Sequence, residues 1–121
     1  MQLSSFRELK IWVDSMDYTD QIYEITRKFP REEQFGITSQ IRRAISSVPS
    51  NIAEGFSRTS TKDYIRFLEY ALGSLYESET QIEICYRQKY LGKDKFDSIV
   101  LNFGKTQRMI LKLISVLRKK L

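Results

Sequence analysis

The sequence has 121 residues, 41% hydrophobic and 29% charged, so it is long enough for one hydrophobic core, too short for two ordinary domains and too apolar to be disordered by composition. Two prolines and five glycines are too few for many short strands joined by turns, and no apolar run reaches the roughly 18 to 20 residues that span a bilayer. The formal charge of +5 is unevenly placed: residues 92–121 hold eight basic and two acidic groups, whereas residues 1–36 hold five basic and seven acidic ones, so an acidic partner would meet the last quarter.

A first helix is expected from Ser5 and Glu8, a capping-box pair, through Phe6, Leu9, Val13 and Met16 at spacings of three and four. Ile22, Ile25 and Phe29 resume the stripe one step out of phase, which gives about six turns ending at Pro30. Trp12 lies near the edge of the stripe, a packing position.

A second helix is expected from Thr38 or Ser39 to Phe56. Ile37, Ile41, Ile45, Val48, Ile52 and Phe56 share one side. Gln40, Arg43, Ser47, Asn51, Glu54 and Arg58 form a second stripe, polar but short of lysine, that resembles a hydrogen-bonding surface and is expected either at subunit contacts of a closed homo-oligomer or lining a polar interior of the bundle. Pro49 inside this helix removes one amide donor and should kink it.

Ser60 with Asp63 opens a third helix, whose apolar arc is Tyr64, Leu68, Ala71, Leu72, Leu75, Ile82 and Tyr86. Gly73 in its middle suggests close approach of another helix. Glu79 projects within the apolar arc; antiparallel packing about the turn at 57–60 brings it within reach of Arg43 or Gln40, a structural ion pair before a ligand site. Gly92 stands where a C-terminal glycine is usual. The fourth helix, from Asp94 nearly to the end, places Phe96, Ile99, Phe103, Ile110, Leu113, Ile114 and Leu117 inward and Lys105, Arg108, Lys112 and Lys119 outward. Leu101, Val116 and, nearer the edge, Leu111 also fall outward, which points to contact with another subunit. The elements together predict an all-α, antiparallel up-and-down four-helix bundle forming a single domain over residues 1–121.

The inventory argues against an enzyme. With no histidine and one cysteine, the chain lacks Ser-His and Cys-His pairs, the Glu-x-x-His motif of di-iron bundles and an ordinary zinc site. Its glycines are too scattered for a phosphate-cradling loop, and no spacing argument joins carboxylates such as Glu54 and Glu79. No catalytic residue, cofactor or metal is expected. Arg7, Glu8 and Lys10 stand where a signal peptide needs apolar residues, and Cys85 reads as a buried structural thiol; both fit the cytoplasm.

The stretch GITSQIRRAISSVPSNIAEGFSR at 36–58 resembles the most distinctive segment of the four-helix bundle proteins encoded in bacterial large-subunit ribosomal RNA intervening sequences. FRELKIW at 6–12, IYEITRKFPREEQFG at 22–36 and YIRFLEYALGSLYESETQIEI at 64–84 support the resemblance, which extends over about residues 6–91. It implies a compact bundle assembled into ring-shaped pentamers. The chain also resembles the accessory variability determinant of diversity-generating retroelements, a basic pentamer that partners a reverse transcriptase and nucleic acid. The motif positions carried over are Gln40, Arg42, Arg43, Ser47, Asn51, Glu54, Gly55 and Arg58, and no catalytic role comes with them.

Two functions follow as expectations. One is a homo-oligomeric module that binds RNA or DNA through Lys105, Arg108, Lys112 and Lys119; the other is a structural adaptor for a partner protein, with the charge serving solubility. Membrane-surface binding through Arg118, Lys119 and Lys120 is disfavoured, because the apolar face of the last helix is needed for the core.

Overall fold

A computed structural model describes residues 3–121. Four helices, α1 (Lys10–Thr26), α2 (Ile37–Phe56), α3 (Thr61–Arg87) and α4 (Lys93–Arg118), account for most of the chain, with 3-10 turns at Phe6–Glu8 and Arg31–Glu33 and no strand among the described residues. Each helix packs on the next and α4 returns to α1, so the order is up, down, up, down. Contacts fix the directions: Thr26 meets Arg42, Gly55 abuts Phe67, Glu69 pairs with Arg118, and Tyr18 bonds to Thr106.

Ile22, Ile41, Ile45, Val48, Ile52, Leu68, Leu75, Ile82, Ile99, Phe103 and Ile110 are fully buried in one core fed by all four helices. Their spacing of three and four along each helix produces this, since it keeps the large aliphatics on one face. Several polar side chains are buried with them, Tyr18 and Thr106 among them. The Tyr18 hydroxyl donates to the Asn102 carbonyl at 2.9 Å and shares a 2.8 Å hydrogen bond with Thr106, so α1 and α4 are tied through a satisfied buried pair.

The first helix differs from expectation. Ser5 accepts from the Arg7 amide and caps the short 3-10 turn, Leu9 is extended with ψ 126°, and α1 starts only at Lys10 and stops at Thr26. Its buried face is Ile11, Ser15, Tyr18, Ile22 and Ile25, an unbroken stripe, while Val13 and Met16 stand exposed. Trp12 is half-buried against the core with Phe6 edge-on to it at 5.3 Å.

Three further expectations are corrected. Gly73 is exposed and nothing lies within 4 Å of where its Cβ would be; the close approach is at Gly55, where a Cβ would sit 2.8 Å from Phe67 Cβ and 3.1 Å from a Tyr64 ring carbon. Gly92 does not end α3 but precedes α4 as its N-cap residue, with φ −80°. Lys89, at φ 67°, is the left-handed residue that ends α3, and the Lys89 and Tyr90 amides donate to the Tyr86 and Cys85 carbonyls, both at 2.9 Å. That pair of bonds is the Schellman arrangement, built here without glycine. Glu79, finally, turns toward α4, where Gln107 donates to it at 2.6 Å, rather than toward Arg43 or Gln40.

Pro49 is buried within α2, which continues through it. A proline cannot bond the carbonyl four residues back, here that of Ile45. The Thr19 hydroxyl of α1 stands 3.5 Å from that oxygen while donating to Ser15 at 2.8 Å, so the orphaned acceptor has only a long, shared partner.

Candidate functional site

The outer face of α4 carries the basic residues. Lys105, Arg108, Lys112 and Lys119 are all exposed, and none forms an ion pair among the described residues. On the same helix Lys93 is held by Asp97 at 2.6 Å and Arg118 by Glu69 at 2.7 Å. Within and beside the row, Leu101 is 60% exposed, Leu111 47% and Val116 44%. Lys105 also borders a groove of about 510 Å³ between α1 and α4, with Lys10, Asp14, Asp17 and Tyr18 on its α1 side. The bond and charge of Asp14 raise the Lys10 amine above its ordinary value, so this part of the groove is locally compensated. The exposed cations without an ion pair on this face thus run from Lys105 through Arg108 and Lys112 to Lys119, with Lys105 nearest the acidic side of the groove.

The polar stripe of α2 divides in two. Gln40, Arg43, Glu54 and Arg58 are exposed, and Ser47 and Asn51 are half-buried. Ser47 donates to the Ala44 carbonyl and Asn51 to that of Ser47, both at 2.8 Å, so these side chains are absorbed by their own helix. Glu54 pairs with Arg58 at 3.0 Å, and the Arg58 guanidinium lies 4.7 Å above the Phe67 ring. Gly55 is the contact point with α3, and Glu79 with its Gln107 partner lies on the opposite flank of α3, against α4. The structure thus gathers Gln40 and Arg43 on one outer surface and separates Glu79 from all of them.

Arg42 has a role that helical spacing could not reveal. Its Nε donates to Thr26 Oγ1 at 2.8 Å, Nη2 reaches the Tyr23 carbonyl at 3.4 Å, and the guanidinium stacks 4.6 Å from the Tyr23 ring centroid. A cation thereby closes the C-terminal end of α1, where carbonyls lack helical partners. Phe35 was also hidden: it is 91% exposed in the connection between α1 and α2. An aromatic just before Gly36, outside every helical stripe and among charged neighbours, is the sequence signal that could have singled it out.

Cys85 is buried without a disulfide partner, and burial, with a smaller push from the Glu33 charge, drives its thiol up to about 11. It is a protonated, packed side chain at neutral pH. No group of three histidine, cysteine or acidic side chains suited to a metal ion occurs among the described residues. Among the described residues no helix is long and apolar enough to cross a membrane.

The family model described as 23S rRNA-intervening sequence protein matches residues 7–112, nearly the whole of the bundle. The chain belongs to that family. Within the 23S rRNA-intervening sequence proteins, the match takes in all of α1, α2 and α3 and most of α4. The fold is shared with a crystal structure of a protein of unknown function from the S23 ribosomal protein family of Bacteroides thetaiotaomicron. That structure superposes with a TM-score of 0.80 at 24% identity, covering 87% of this chain and 95% of the other. No curated protein matches the chain.

Proposed function

We propose that this member of the 23S rRNA-intervening sequence proteins is a non-enzymatic, homo-oligomeric module of the cytoplasm that contacts RNA or DNA through the outer face of α4. The observation that supports the reading is the row Lys105, Arg108, Lys112 and Lys119, exposed, aligned on one face and without carboxylate partners, whereas Lys93 and Arg118 of α4 are paired and Lys95 stands apart near its start. From Lys105 to Lys119 the row runs about 21 Å at 1.5 Å per residue, enough for roughly three or four phosphate contacts. One chain alone binds weakly. Several copies on one particle, five if the family resemblance extends to assembly, raise the effective concentration of each further contact. Binding of this kind reads backbone rather than bases and weakens steeply with salt, because each neutralised phosphate releases counterions.

The test is a nucleic-acid shift assay comparing wild type with a Lys105→Glu, Arg108→Glu, Lys112→Glu variant at low and moderate salt, with particle mass measured for both. The expected result is loss of binding by the variant with its assembly intact. Equal behaviour of the two proteins, with assembly intact in both, would leave a protein-binding adaptor as the better account, a reading favoured by Leu101 and Val116, whose exposed aliphatic side chains share the face of the row.

A further inference from the structure

Phe35 is the least expected side chain on the surface. It is 91% exposed, whereas the other six phenylalanines are buried or half-buried. The exposure does not come from a frayed segment. Backbone bonds from Glu33 to Pro30 at 2.9 Å, Gln34 to Arg31 at 3.1 Å and Gly36 to Glu33 at 3.0 Å lock the connection, and the Glu33 carboxylate accepts from the Tyr90 hydroxyl at 2.8 Å. The ring is presented to solvent by an ordered turn, and apolar surface held out in this way gains free energy only when something covers it.

At the same end of the molecule the α3–α4 turn forms a shallow cleft of about 650 Å³, lined by Tyr86, Arg87, Lys89, Tyr90, Leu91 and Gly92. One face of Tyr86 is stacked on Phe96 at 4.4 Å and Tyr90 packs against Phe29 at 5.2 Å, so an incoming ring would meet their remaining edges and Leu91, with the unpaired Lys89 able to lie over it. The rim is cationic. Arg87 is already paired with Glu83, but Lys89 has no carboxylate among the described residues. Beside Phe35, the exposed Glu32 likewise has no cation. Knob and cleft are therefore matched in both polarity and charge.

We infer that Phe35 is an anchor between two copies of this chain, seated in the α3–α4 cleft of the neighbour with Glu32 facing Lys89. This rests on the homo-oligomeric reading above and names its surfaces. Because the Glu33 to Tyr90 bond places both features at one end of the bundle, two copies with parallel axes bring the knob of one level with the cleft of the other. The contact is heterologous: each copy donates one knob and receives another, and none is left unfilled only when the set closes into a ring. The basic row of α4 stays outside it, since Lys105 lies about 18 Å along the helix from Lys93 at 1.5 Å per residue.

Two variants test it. Phe35→Asp removes the knob and keeps the cleft. Gly92→Trp fills the cleft and keeps the knob, and its backbone tolerates a side chain, with φ −80° and nothing within 4 Å of a Cβ. Both should show the wild-type helical spectrum, and each alone should fall to the 14.3 kDa monomer in light scattering. An equal mixture at the highest soluble concentration should regain a particle of two chains and no more, because only one competent knob and one competent cleft remain between them. Wild-type mass for Phe35→Asp, or a mixture that stays monomeric, overturns the assignment while leaving oligomerisation standing. A wild type that is itself monomeric at micromolar concentration removes the oligomeric reading and this contact together.

Discussion

At the scale of single residues, two of the three glycines in helix interiors, Gly55 and Gly73, have opposite roles. At Gly55 α3 lies close against α2, and an added Cβ would meet the Cβ of Phe67 at 2.8 Å, an atom that cannot swing aside. Gly55→Ala should therefore cost about 1 to 3 kcal/mol through overpacking, despite the better helix propensity of alanine. Gly73 faces open space on α3, and Gly73→Ala should stabilise by about 1 kcal/mol, the propensity difference alone. Denaturant midpoints of the two variants, measured with an unchanged slope, check the pair. The sequence pattern could not separate these cases, because a glycine inside a helix marks either a close contact or an empty exposed site, and only the neighbouring helix decides. Glu79 was misassigned for a related reason. A wheel placed it on the apolar arc of α3, but that arc touches both α2 and α4, and Gln107 of α4 is the partner.

At the scale of elements, α2, α3 and α4 were legible because their buried positions are mostly large aliphatics, as in Ile41, Ile45, Val48 and Ile52. The first helix was not, because its buried face includes Ser15 and Tyr18, while Val13 and Met16 carry apolar side chains to the surface. Ser15 is buried at no cost in unmet hydrogen bonds, since its hydroxyl donates to the Trp12 carbonyl at 3.0 Å. The end of this helix is set by Arg42 from α2. Arg42→Ala should lose two bonds to the end of α1 and the stacking on Tyr23, about 1 to 2 kcal/mol in all, with Thr26 still satisfied by the Ile22 carbonyl at 2.7 Å. Arg42→Lys retains the charge but neither the Nε donor nor the planar stack, so it should recover less than half of the loss. Equilibrium denaturation of the three proteins distinguishes this fork-like cap from a simple charge effect, for which lysine would serve as well as arginine.

At the scale of the whole molecule, packing is uneven, and the least secured element can be named. α2 and α3 share the broadest seam of the bundle, whereas α1, the shortest helix, meets α4 along the narrowest of the seams between neighbouring helices. That narrow seam is bordered by the groove reaching Asp14, Asp17 and Lys105, and its one buried polar link is Tyr18 with Thr106 and the Asn102 carbonyl. Local opening follows such unevenness, since segments with fewer buried contacts open at lower free energy than the rest. Amide exchange in α1 should therefore be faster than in the middle of α2 and α3, with α4 between them. Tyr18→Phe sharpens the test. It removes the hydroxyl that bridges the seam but keeps the ring packed 5.2 Å from Phe103, and Thr106 can turn its own hydroxyl to the Asn102 carbonyl four residues back. Global stability should fall by only about 1 kcal/mol, while exchange in α1 accelerates more than exchange in α2 and α3. Equal acceleration in all four helices would mean that α1 leaves the bundle only by global unfolding, and that the seam with α2, capped by Arg42, secures it more firmly than the narrow seam with α4 loosens it.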